Sequence, residues 1–182
     1  MLELIEYPHP FLRYVCKPLK KVDGSIKNII TEMIQVMHEE KGNGLAAPQV
    51  GLPFRLIVAT YDKVDFAFIN PIITRIRGSK LVKGKEGCLS FPGLFLPVLR
   101  SNKIKFTAWT PTGDTVDEVV SGDFSRVLQH EVDHLDGTLI IDKIGNDLRI
   151  QKKVKPYIDY VTEHADYPHL NLDPDLLETY CA

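Results

Sequence analysis

The stretch FSRVLQHEVDHL, Phe124 to Leu135, limits what this chain can become more than any other. At about 100° per residue it forms a helix with two unlike sides. Ser125, Arg126, Gln129, Asp133 and the following Asp136 fall together as a polar arc. Phe124, Val127, Leu128, Val132 and Leu135 occupy the other side, with His130 and His134 at its edge and Glu131 in its middle. A carboxylate centred in a buried stripe is costly unless something compensates it. Two histidines at i and i+4 point the same way and can clamp one metal ion. A metal with its water would give Glu131 a purpose, as acceptor of that water's proton and not as a ligand. A lone histidine on an apolar face is most often a satisfied core residue. Here, however, all three polar residues of the motif avoid the polar arc.

Two histidines leave a catalytic metal one protein ligand short. A third histidine in the extended form of this motif would stand at Ile140, although the glycine of that form, Gly137, is in place. A downstream glutamate is another route, and the first one is Glu163. The remaining candidate is Cys88, whose thiolate would suit zinc or ferrous iron. The adjacent Gly87 lets backbone approach closely. Cys16 and Cys181 lack such a setting and read as structural or incidental.

The rest of the chain reads as α+β with mostly antiparallel strands around this central helix. SIKNIITEMIQVMHEEKG has apolar residues at helical spacing, with Ser25 able to cap its start and Gly42 after its end. GNGLAAPQVG reads as a glycine-bounded loop. FRLIVATY, DFAFINPIIT, KIKFTAWT and DTVDEVV read as strands, the last two joined by the turn PTGD. LRIQKKVKPYIDYVTEHA offers a third helix that Pro156 would break or restart. We expect a single catalytic domain over residues 1–150 and a partly helical C-terminal extension over 151–182. A length of 182 residues buries a real core without staples. The net charge of −2 gives no reason to expect nucleic acid or anionic membrane as a partner. Three distant cysteines argue against a disulfide framework, and no run is long enough to span a bilayer. The N-terminus carries two early carboxylates and no uninterrupted apolar stretch, unlike a signal peptide. The expectation is a cytoplasmic chain, or an organellar one after processing.

Three stretches together resemble the peptide deformylase family: GNGLAAPQ (Gly42 to Gln49), EGCLS (Glu86 to Ser90) and QHEVDHL (Gln129 to Leu135). They stand in the family's order and at similar spacing, and the opening YPHPFLRYVCKPL is also similar to the family's N-terminal segment. The resemblance covers roughly the first 150 residues. It implies removal of the formyl group from N-formylmethionine of newly made polypeptides, met at the ribosome. It implies that Cys88, His130 and His134 bind the metal, with Glu131 as general acid/base. Gln49 and the backbone N–H of Leu89 would stabilise the oxyanion, and Asn43, Gly44 and Gly87 would lie beside the substrate. The metal it implies is Fe2+, which Zn2+, Ni2+ or Co2+ can replace. Asn43, where many members carry an apolar residue, and Ser125, in place of a frequent alanine, depart from the commonest pattern. Two rival readings stand beside it. One is a metal endopeptidase using Glu163; the other is a non-catalytic protein with a structural metal, which would need a fourth protein ligand.

Overall fold

The computed structural model describes residues 2–165 and 179–181. Helix α1 (Gly24–Glu39) is followed by strands β1 (Gly44–Ala46), β2 (Leu56–Tyr61), β3 (Val64–Arg75), β4 (Leu81–Gly87), β5 (Phe95–Ser101), β6 (Lys103–Trp109) and β7 (Thr115–Ser121). Helices α2 (Gly122–Leu135) and α3 (Leu148–Glu163) complete the order. Every pairing is antiparallel, in a five-stranded sheet ordered β1-β2-β3-β6-β7 and a separate β4–β5 hairpin. This is the α+β arrangement expected.

The larger sheet is packed on both faces. Ile26, Ile30, Met33 and Met37 of α1 meet Leu45, Leu56, Val58 and Ile69 on one face. Leu128, Val132 and Leu135 of α2 meet Ile57, Phe68 and Phe106 on the other. A strand covered on both sides cannot alternate in polarity, which is why β2 reads as the unbroken apolar run LIVA. A third cluster joins the N-terminal Ile5, Phe11 and Leu12 to Leu96 and Val98 of the hairpin, and Val154 of α3 closes over it. The motif helix therefore lies between the sheet and the hairpin, with protein on most sides.

Several expectations change. GNGLAAPQVG is not a plain loop: it holds β1 and a 3-10 turn over Ala47–Val50. The β4–β5 hairpin lies in sequence that showed no strand pattern. The cap of α1 is Asp23, whose Oδ1 accepts from the N–H of Ser25 at 3.1 Å and of Ile26 at 3.3 Å; Ser25 is already inside the helix. Pro156 does not break α3, which runs continuously past it. Pro156 and Lys152 are both exposed, so the Lys152 carbonyl left without a donor is on the solvated side of the helix. The polar arc of α2 is not a solvated face. Ser125 is fully buried, and it and Gln129 bond the carbonyl oxygen of Ser101 at 3.1 and 2.9 Å. The tail from 166 to 178 lies outside the described residues.

Candidate active site

A cavity of about 590 Å³ opens between β1 and the end of β4, with α2 as its floor. Gln49, Cys88, His130 and Glu131 line it, as do the predicted Asn43, Gly44, Gly87 and Leu89. The structure thus brings together residues that the sequence spreads over almost ninety positions. His130 and Glu131 are buried on α2 and line the cleft, Glu131 with its carboxylate against Gly44 of β1; His134 follows one turn on from His130. Cys88 arrives from the opposite wall, one residue beyond β4.

Sγ of Cys88 and one ring nitrogen each from His130 and His134 all lie within 4.8 Å of one another. Among the described residues, this is the cluster of donors suited to a metal; Glu163 is exposed on α3 and outside it. Nε2 of His134 stands 3.2 Å from the sulfur. Nδ1 of His130 stands 3.2 Å from Oε2 of Glu86, which turns the ring so that its other nitrogen faces the sulfur. Burial opposes charge on His130, but its bonds to Cys88 and Glu86 outweigh that and raise its pKa well above the usual value. Burial, with the nearby charges of His130 and Arg100, pushes His134 the other way and keeps it neutral. Two imidazoles and a thiol in a buried recess, with a neutral ring ready to donate its lone pair, fit a divalent ion.

Glu131 is 3% exposed, and its Oε2 is buried with no hydrogen-bond partner. Burial pushes its carboxyl up to about 7, against the opposing charge of His130. It is therefore poised to take and return a proton near neutral pH, and no neighbouring donor occupies the oxygen that would do so. Gln49 is also buried. Its Oε1 accepts from the N–H of Ala46 at 2.8 Å, which fixes the amide so that Nε2 donates to Ser90 Oγ at 3.1 Å and points at the Cys88 sulfur at 3.6 Å. Leu89 packs on Gly42, where a β-carbon would lie 2.7 Å from Leu89 Cδ1.

Sequence reasoning missed the charges beneath the donors. Glu86 is buried and holds His130; Arg100 donates to its two oxygens from Nε at 2.9 Å and Nη2 at 2.8 Å. Arg126 donates to Glu86 Oε1 at 2.6 Å. Burial works against the Glu86 carboxylate, yet bonds from His130 and Arg100 hold its pKa well below the usual range. Arg100 also pairs with Asp133 on α2, which Lys143 reaches at 2.8 Å. The available signal was Glu86 itself, an acid two residues before a candidate ligand.

A family model described as polypeptide deformylase matches residues 1–149. The chain belongs to the polypeptide deformylase family. Among deformylase relatives, a peptide deformylase of Rhodopirellula baltica is 40% identical over 151 residues, 80% of this chain and 74% of that protein. One of Chlorobaculum tepidum is 40% identical over 182 residues, 92% of this chain and 93% of its own. The crystal structure of the Thermotoga maritima peptide deformylase is 41% identical and superposes with a TM-score of 0.76, covering 80% of this chain and 98% of that one. A deformylase of this family is a metal-dependent enzyme, and the Cys88, His130 and His134 group fits that dependence. Among the described residues no helix is long and apolar enough to cross a membrane.

Proposed function

We propose that this chain removes the formyl group from N-formylmethionine at the start of newly made polypeptides. The observation that carries the reading is the cluster of Cys88, His130 and His134 beside the buried, unpartnered carboxylate of Glu131, in a chain of the deformylase family. Cys88, His130 and His134 hold the ion, which we take to be Fe2+, with Zn2+, Ni2+ or Co2+ able to replace it. What the ion supplies when bound is Lewis acidity, which brings the pKa of a water towards neutrality.

The chain's own residues do the rest. Glu131 accepts the proton of the attacking water at its free oxygen and delivers it to the amine that leaves. Oε1 of Gln49 is tied to the N–H of Ala46, so the amide stays at the site, and the N–H it aims at the Cys88 sulfur can turn its hydrogen bond to the developing oxyanion. The N–H of Leu89 serves the same charge from the Cys88 side. Gly44 lies on β1, the edge strand of the larger sheet, and Gly87 ends β4. With Asn43 they let an extended peptide lie along the cleft as an added strand. The substrate is then read through its main chain, with the nascent peptide met at the ribosome, in a bacterial cytoplasm or an organelle. We take residues 1–150 as the catalytic unit and 151–182 as an extension of it.

The experiment is hydrolysis of formyl-Met-Ala-Ser by protein purified anaerobically, with metal analysis on the same sample. Formyl peptides should be cleaved ~10- to 100-fold faster than acetyl ones, the scale on which a small site rejects one extra carbon. Equal rates on the two would overturn the reading. Cys88→Ala should lose stoichiometric metal, whereas Glu163→Ala, Cys16→Ser and Cys181→Ser should keep it.

A further inference from the structure

The donor set is assembled from two separate pieces. Cys88 lies in the connection between β4 and β5, whose hairpin is not paired to the main sheet, and both histidines ride on α2. Something has to hold those pieces in register, or the sulfur and the imidazoles separate. Arg126 is a side chain of α2 that reaches both strands of the hairpin. Its Nη1 donates to Glu86 Oε1 at 2.6 Å and to the carbonyl oxygen of Val98, on β5, at 3.0 Å. Its Nη2 donates to the carbonyl oxygen of Val82, on β4, at 2.7 Å. One guanidinium therefore grips both strands and the carboxylate that turns His130. The hairpin leaves room for it at Gly84, where an added β-carbon would lie 2.6 Å from Cζ of Arg126.

We propose that Arg126 is a positioning residue, a latch that fastens the hairpin bearing Cys88 to the helix bearing His130 and His134, with Gly84 as its slot. Arg100 bonds Glu86 within the hairpin and reaches Asp133 on α2, so it is a second tie and the hairpin does not come free when Arg126 is removed. The loss is in how tightly the donors are held. A planar fork with several donors can serve three acceptors at once; a lysine ammonium at the same place reaches fewer.

The proposal uses the deformylase reading only for its ligand set, and its test does not require catalysis. Zn2+-loaded protein is mixed with excess chromophoric chelator, and the rate of metal release is followed. Arg126→Met should release zinc ~10- to 100-fold faster than the unaltered protein, the usual scale for losing a residue behind a ligand. Arg126→Lys should fall between them. Gly84→Ala should reproduce much of the defect with Arg126 intact, and should add nothing in the Arg126→Met background. Ile30→Val, a core truncation on α1, controls for lowered stability and should release zinc at the unaltered rate. Release at that rate from both Arg126→Met and Gly84→Ala overturns the latch. So does a Gly84→Ala effect of equal size with and without Arg126. Failure to hydrolyse formyl peptides would remove the deformylase reading and leave the zinc-release result to decide the latch.

Discussion

Gly44 has no β-carbon, and the space it leaves is where the Glu131 carboxylate stands: an added Cβ would lie 2.3 Å from Oε1 and 2.8 Å from Cδ. The backbone there cannot retreat, because Gly44 is paired with Ala59 in the sheet. Gly44→Ala should therefore push Glu131 from its place and lower kcat by at least ~10²-fold, with metal retained. In a Glu131→Ala background the same substitution should cost nothing more in kcat; a persisting loss would mean that Gly44 acts on the substrate directly. Glu131→Gln should likewise keep its metal and lose at least ~10²-fold in kcat. Thermal unfolding should show no loss of stability, since a neutral amide is cheaper to bury than a carboxylate. Metal loss from Glu131→Gln with normal turnover by the loaded fraction would make Glu131 structural.

Elements differ in how openly the sequence announces them. α2 was legible because its periodicity and its metal motif are local, β2 and β3 because their apolar runs are long, and β6 and β7 because β-branched and aromatic residues flank the turn that joins them. The β4–β5 hairpin was not, and the reason lies in β4. Val82 is exposed, and the inward positions are Gly84 and Glu86: one slot for a guanidinium and one buried acid. The partners of that buried acid, Arg100 and Arg126, are distant in sequence. A helical wheel likewise cannot tell a polar side that meets water from one that meets another strand, as Ser125 and Gln129 do. For α1 the deciding contact is the Asp23 cap. Bonds from Ser25 and then Lys21 lower the Asp23 pKa from its ordinary 3.8 to about 2. A lowered folded-state pKa means stabilisation that is complete above the unfolded value and disappears as pH falls through the folded one. Asp23→Ala should thus unfold at lower temperature than the unaltered protein at pH 7. The gap should narrow as the pH drops from about 4 towards 2, read by circular dichroism melts.

Over the whole molecule, an ion held by Cys88, His130 and His134 would tie the hairpin to α2, so metal and fold should be linked. At free metal ~100 times its Kd, binding stabilises the native state by about 2.7 kcal/mol. For a chain of this size that corresponds to a fall in Tm of about 5–10 °C on chelation, measurable by calorimetry. An unchanged Tm would show that hairpin and helix need no ion to stay docked. The recess at β1 has one more effect. A sheet edge is normally a hazard, because its unpaired groups invite the edge of another molecule. Here the edge strand is three residues long and its Gly44 opens into a cavity of about 590 Å³. A lone extended segment enters such a space; a strand still attached to its own folded sheet does not. On the proposed deformylase reading, that narrowness turns away finished proteins and leaves the loose front end of a chain as what can be served.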